Sequence, residues 1–157
     1  MRDFWIYRGH PKGYIEVGLA NYLTEEEFLR MLREYMYKLL EPMLGNLKQG
    51  EIFVEKTPSH ALFIPEIMEL LPESRFINIM RDARDVVASL LAAAKSWGSY
   101  WAPKNAVSAT KMWINHVQAV SEASKQLTAN QFYEIRYGYL HISPLETLKG
   151  VSEFLKL

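Results

Sequence analysis

Arg75 to Leu91, RFINIMRDARDVVASLL, joins a short apolar run to an amphipathic one through a turn dense in fixed charge. Phe76-Ile77-Asn78-Ile79-Met80 is short, bulky and bounded by charge, the pattern of a buried parallel strand. Arg81 falls at the C-terminal end of that strand. From Asp82 or Ala83 onward, Val86, Val87, Leu90 and Leu91 recur at helical spacing, which predicts a helix N-terminus beside Arg81 and places Ser89 about two turns along it. Open parallel sheets bind ligands at this edge. A guanidinium, a hydroxyl and a helix N-terminus together suit a phosphate monoester.

Working outward, Thr24 to Glu41 predicts a helix. Thr24 and Glu27 form a capping box, Phe28, Met31, Leu32, Tyr35, Leu39 and Leu40 mark an apolar face, and Pro42 is expected to end it. Residues 1 to 23 are aromatic and glycine-containing without clear periodicity, and Gly45 to Gly50 reads as a loop. Glu51 to Glu55 predicts a strand, and Ser59 to Leu71 a helix stopped near Pro72. After the Ala83 to Lys95 helix, Ser96 to Pro103, SWGSYWAP, is a loop suited to a lid or substrate wall. Pro103 to Leu127 predicts a long helix with Val107, Trp113, Val117 and Val120 inward, and Gln131 to Arg136 a further strand. Ser143 is placed to cap the last helix, with Pro144 at its first position and Glu146 at its third. Strands alternating with helices imply an α/β fold, a three-layer parallel sheet with flanking helices, in a single domain over 1 to 157. No internal repeat, low-complexity tract or linker interrupts it.

Composition narrows the function classes. With 157 residues, 49% hydrophobic and 13% aromatic, the chain can bury a sizeable core. Eighteen basic residues balance eighteen acidic ones, so nothing points to a nucleic-acid partner, and any anion site must be built from local cations. There is no cysteine, hence no disulfide framework and no thiolate metal or redox site. No apolar run has the length of a membrane span, and MRDFWIYRGHPKGY has no signal-peptide pattern, so a cytoplasmic location is the default expectation.

At these residues the chain resembles the sulfotransferases that use 3′-phosphoadenosine 5′-phosphosulfate (PAPS). In that family a strand-end Arg and a Ser eight residues later hold the nucleotide's 3′-phosphate, and Arg81 and Ser89 have that spacing. Two further segments match in order. Glu51 to His60, EIFVEKTPSH, is similar to the strand-to-loop E-K-T/S-P motif, and Phe132 to Leu157, FYEIRYGYLHISPLETLKGVSEFLKL, to the late R-Y-E-D-L…P…T-L…F-L-x-L pattern. The resemblance implies a fold related to the P-loop NTPases, PAPS as sulfuryl donor, no metal, and a small-molecule, carbohydrate or peptide acceptor that takes the group on a hydroxyl or amine. The family's N-terminal phosphosulfate-binding loop, a Gly-rich turn with Ser and Thr, has no counterpart here: Gly9, Gly13 and Gly18 are not followed by Lys-Ser or Thr-Thr. The expectation is therefore an incomplete member of the family, short at the N-terminus and at the C-terminus, whose open sheet edge would favour self-association.

Sulfuryl transfer needs a base for the acceptor proton, cations against the developing charge, and alignment of the attacking atom. Lys56 is the catalytic candidate, because it follows the predicted strand and precedes Thr57-Pro58, so that its ammonium is expected over the sheet edge that also carries Arg81. The bland reading of Lys56 is a solvated surface lysine; of Arg81, an ion pair with Asp82 or Asp85; of Ser89, a small residue packed on a helix. Asp82, Arg84 and Asp85 suit the shaping of the turn. The resemblance implies a nucleotide contact from Tyr137, although Arg136-Tyr137-Gly138-Tyr139-Leu140 departs from the family pattern at both acidic positions. Core packing is its alternative.

The base is a His or Glu in the family, and His10, Glu16, Glu55 and His60 are the candidates, none singled out by spacing. No His/Asp/Glu cluster has metal-ligand spacing, and no G-x-S-x-G elbow supports a serine hydrolase. Two other readings stand beside the transferase: a nucleotide-dependent phosphotransferase, disfavoured by the lack of a Walker lysine loop, and a non-catalytic nucleotide-binding fragment or interaction module. Trp97, Tyr100 and Trp101 suit an aromatic wall for the acceptor, or an interface.

Overall fold

The computed structural model describes residues 22–157. The chain forms two compact units. Among the described residues the first takes in 22 to 56 together with Pro65–Pro72, and the second Thr57–Ile64 with Glu73–Leu157.

In the first unit, helix α1 spans Glu25–Leu44. Its capping box forms as expected, with the Glu27 amide donating to Thr24 Oγ1 at 3.2 Å and the Thr24 amide to Glu27 Oε2 at 2.8 Å. Pro42 does not end the helix, which runs on to Leu44. Proline there deprives only the Lys38 carbonyl of its intrahelical donor, and Lys38 is exposed, so water can serve that oxygen. The inward face is Phe28, Leu32, Met36 and Leu40, whereas Met31, Tyr35 and Leu39, expected inward, are exposed. Helix α2, Ile64–Leu70, begins in the second unit and continues into the first, where Arg33 donates to the Leu70 and Glu69 carbonyls at 3.1 and 2.9 Å. A guanidinium thus satisfies orphan carbonyls at a helix C-terminus.

Two expectations around this region need correction. Glu51 to Glu55 is not a strand; residues 51 to 57 carry no regular secondary structure. A short strand persists only where a neighbour completes its hydrogen-bond ladder, and among the described residues the sheet has two strands, neither of them this segment. The helix expected over Ser59 to Leu71 is divided into a 3-10 turn, Pro58–Leu62, and α2, with Phe63 between. Pro65 has no N–H to give the Ala61 carbonyl and stands at the second position of α2, where that loss costs least, so the break falls just before it.

The second unit is built on strands β1, Phe76–Met80, and β2, Phe132–Arg136, which pair in parallel from Phe76↔Phe132 to Met80↔Arg136. Helices α3, Ala83–Ala94, and α4, Ala106–Ser124, connect them and pack on each other. The short helix α5, Tyr139–Ile142, and α6, Pro144–Leu155, follow β2. Alternation along the strands sends Phe76 and Phe132 to one face and Ile77, Tyr133 and Ile135 to the other. On the first face Phe76 and Phe132 pack with Ala61 and Leu127 against the buried Ile64, Val120 and Ala123. On the other, Tyr133 stacks on Phe154 of α6 at 5.3 Å between ring centroids, and Arg75 donates to the Phe154 carbonyl at 2.9 Å. The sheet is parallel and α/β as expected, with a helix on each face.

Helix α4 starts later than Pro103, because the Asn105 side chain accepts from the Ser108 amide and fixes the N-cap. Its inward positions include Ala109, Trp113, Val117 and Val120, but Val107, expected inward, is 65% exposed. Ser143 occupies the N-cap of α6 with Pro144 first, as expected; its side chain makes no cap bond, and its carbonyl accepts from the Thr147 hydroxyl at 2.8 Å.

Ile64 joins the 3-10 turn to α4 and is only 4% exposed. Truncating it to alanine should cost about 2–5 kcal/mol, lost transfer free energy plus a cavity, read from the urea midpoint of unfolding.

Candidate functional site

Because β1 and β2 are in register and end together, the residues that follow them leave the sheet side by side. Those residues are Arg81 and Tyr137, and the ladder is extended by one bond, from the Tyr137 amide to the Met80 carbonyl at 2.8 Å. The Arg81 guanidinium carbon lies 4.9 Å from the centroid of the Tyr137 ring, a cation–π arrangement. Tyr137 in turn meets the His141 ring edge-on at 5.1 Å. Arg81 Nε is buried without a hydrogen-bond partner, 3.6 Å from Asp85 Oδ2, while the side chain as a whole is 40% exposed. One edge of the guanidinium is therefore held against protein. The remainder is partly exposed to solvent beside the more exposed Asp85.

The other charges of the turn are committed to each other. Asp82 caps α3 by accepting from the Arg84 amide at 2.9 Å, and its two carboxylate oxygens receive Arg84 Nε and Nη2 at 3.0 and 3.1 Å. The Arg84 side chain, then its amide, hold the Asp82 carboxyl down to about 2, and the same pairing raises Arg84. The α3 N-terminus thus gives the site its dipole, while at least one of its amides is already used by Asp82. Arg81 is left as the cation of this turn that lacks a hydrogen-bonded carboxylate.

Ser89 lies on α3 one turn beyond Asp85 on the same stripe, and is exposed. Lys56 belongs to the other unit. It is exposed, at the end of the irregular segment and immediately before Thr57, whose extended backbone leads into Pro58 at the first position of the 3-10 turn. Pro58 does stiffen the turn, but the strand from which Lys56 was expected to project is absent. Of the candidate bases, His10 and Glu16 lie outside the described residues, and Glu55 and His60 are exposed in theirs. Among the described residues no group of three His, Asp or Glu side chains is arranged to hold a metal ion.

Gly138, one of the two departures from the acidic pattern, is the N-cap of α5, with open space where a side chain would stand. Crowding does not explain the loss of the acid; nothing else in the structure does. The Tyr137–His141 contact is missing from the sequence reading, and its only signal was an aromatic and a histidine four residues apart at the mouth of a helix.

A family model described as the sulfotransferase family matches residues 9–157. The chain belongs to the sulfotransferase family. Among curated sulfotransferases it is similar to a putative protein-tyrosine sulfotransferase of Caenorhabditis briggsae, 29% identical over 115 residues, covering 70% of this chain and 40% of the relative. It is also similar to omega-hydroxy-beta-dihydromenaquinone-9 sulfotransferase Stf3 of Mycobacterium bovis, 20% identical over 170 residues, covering 98% of this chain and 43% of that protein. The Mycobacterium tuberculosis protein of the same name matches equally. The chain spans about two fifths of the length of the curated relatives it matches. A solved sulfotransferase domain from the curacin biosynthetic pathway superposes with a TM-score of 0.61 at 19% identity, over 79% of this chain and 44% of that one, and shows a common fold.

The Asp82 cap has a pH signature. Its folded pKa is depressed, so its contribution is complete above the ordinary aspartate value of about 4 and is lost as pH falls toward about 2. Asp82→Asn keeps the cap acceptor without titrating. The gap between wild type and Asp82→Asn in urea midpoint should stay constant near neutrality and narrow across that acid window; a gap independent of pH would show that the Arg84 pairing contributes nothing.

Proposed function

We propose that this sulfotransferase-family chain binds the 3′-phosphate of PAPS through Arg81, with Ser89 as a second contact and Tyr137 beside the adenosine, and serves transfer of the sulfuryl group to an acceptor hydroxyl. The observation that carries the reading is the Arg81–Tyr137 pair, at the joint C-terminal end of two parallel strands and beside the start of α3. The guanidinium is oriented by the ring and by Asp85 yet remains open, and it can give parallel N–H donors to a phosphate monoester. The aromatic face is of a size to line a nucleoside. Two of the relatives are named for a protein tyrosine and an omega-hydroxy group, both hydroxyl acceptors. An incomplete three-layer, P-loop-like fold without the phosphosulfate loop belongs to the same proposal, and so does Lys56 as the cation facing the transferring group.

Titration calorimetry tests the phosphate assignment. Adenosine 3′,5′-bisphosphate should bind more tightly than adenosine 5′-monophosphate, and Arg81→Ala should remove about 1.5–3 kcal/mol of that binding, the value of a charge-assisted hydrogen bond. Equal affinities for the two nucleotides would sink it.

Catalysis makes a separate demand. The sequence contains no phosphosulfate-loop pattern, so the 157 residues by themselves should transfer radiolabelled sulfate from PAPS slowly or not at all, and fusion to an N-terminal segment bearing such a loop should switch transfer on. In the active form, Lys56→Ala should lower kcat by more than it weakens nucleotide binding, because a cation facing the moving group acts mainly in the transition state. Unchanged turnover would remove Lys56 from the mechanism. Nucleotide binding that persists without transfer in the extended protein would favour the non-catalytic reading.

A further inference from the structure

Between α3 and α4, Lys95 to Lys104, KSWGSYWAPK, forms a turn whose burial is inverted. Its small residues face inward: Gly98 is buried and Ala102 is 5% exposed, close to Ala93 at 6%. Its large residues face water, with Trp97 at 73%, Tyr100 at 89% and Trp101 at 42% exposure. Hydrogen bonds hold this arrangement. The Gly98 amide donates to the Ala93 carbonyl at 2.9 Å, and the Trp101 and Ala102 amides both donate to the Gly98 carbonyl, at 3.1 and 2.8 Å. A side chain at Gly98 would press on the Ala93 backbone and the Ala102 methyl. Trp97 and Trp101 lean on each other at 5.2 Å and 53°. Clustered exposed aromatics of this size mark an interaction surface.

Charge on the same stretch is one-sided. The chain is neutral overall, yet from Val86 to Ser121 it has no aspartate or glutamate, and Lys95, Lys104 and Lys111 are all exposed. Val107, 65% exposed on the first turn of α4, adds apolar area three residues beyond Lys104. Tryptophan and tyrosine suit the boundary between hydrocarbon and water, and flanking lysines suit anionic headgroups.

We propose that the Lys95–Lys104 turn is a peripheral membrane-contact surface, which seats this unit on an anionic bilayer with Trp97 and Tyr100 inserted at the headgroup level. No helix among the described residues is long and apolar enough to cross a membrane, and a ten-residue turn with a lysine at each end has the dimensions of an interfacial contact. Two other occupants fit less well. A saccharide needs several polar side chains around the ring it stacks on, and Ser96 is engaged with the Ala92 and Ala93 carbonyls, leaving the Ser99 and Tyr100 hydroxyls and no carboxylate or amide between the two lysines. A second copy docking through this turn would bring its lysines against their own kind.

Vesicle sedimentation tests the proposal, using the whole chain with phosphatidylcholine vesicles alone or mixed with phosphatidylglycerol. Anionic vesicles should bind the protein, neutral ones at least roughly tenfold more weakly, and added salt should reduce the difference. Lys95→Gln with Lys104→Gln should weaken anionic binding roughly 25-fold, about fivefold per lysine. Trp97→Ala with Tyr100→Ala should weaken it roughly tenfold or more and abolish the blue shift of tryptophan fluorescence on vesicle addition. All four positions are exposed, and far-UV circular dichroism verifies the fold of each variant. Failure to sediment with anionic vesicles, or equal binding by the variants, overturns the proposal. So does a fluorescence response confined to a soluble saccharide or an acidic peptide, or self-association that the aromatic variant removes.

Discussion

The parallel ladder between β1 and β2 is the constraint on which the site depends. Because Met80 stands opposite Arg136, the chain leaves both strands at the same level, and Arg81 and Tyr137 emerge as neighbours despite their separation in sequence. A slip of one residue in that register would turn every side chain of one strand to the opposite face and part the guanidinium from the ring. The register is held from both sides. Phe76 and Phe132 share the core under α4, and Tyr133 lies on Phe154 of α6. A two-stranded pair has little stability alone, so these helices are what keep the edge in place.

Around that edge the charges are sorted by geometry. Asp82 and Arg84 satisfy one another as an exposed cap, and Asp85 approaches Arg81 without reaching hydrogen-bond distance. The result is a turn that holds several charges of both signs, of which the Arg81 cation has no hydrogen-bonded carboxylate. Strand-end position already separates Arg81 from Arg84 in the sequence, and the structure adds that Arg84 is occupied by folding back on Asp82.

Local chemistry was legible where one segment contains its own partners. Thr24 and Glu27 cap each other, Phe76 to Met80 is a strand, and the helix after Asp82 starts where its spacing predicts. Legibility failed where a partner elsewhere decides the outcome. Glu51 to Glu55 has the composition of a strand, and without a ladder it remains irregular. Met31, Tyr35 and Leu39 fit a helical face as well as Met36 does, and the side that is buried depends on what packs there. Pro42 breaks one hydrogen bond at an exposed helix end, a cost the helix tolerates.

The sequence by itself determined the family, the strand-turn-helix around Arg81 and the residue types able to meet a phosphate, because motif spacing and capping act over a few residues. Only the tertiary structure decided which of those residues meet. Pairing Arg81 with Tyr137 and turning the aromatics of the Ser96–Pro103 loop outward rest on strand register and on the burial of Gly98 and Ala102. The first is set by pairing between segments far apart in the chain, where local pattern carries no information, and the second by backbone hydrogen bonds within Ala93 to Ala102 that no apolar periodicity signals.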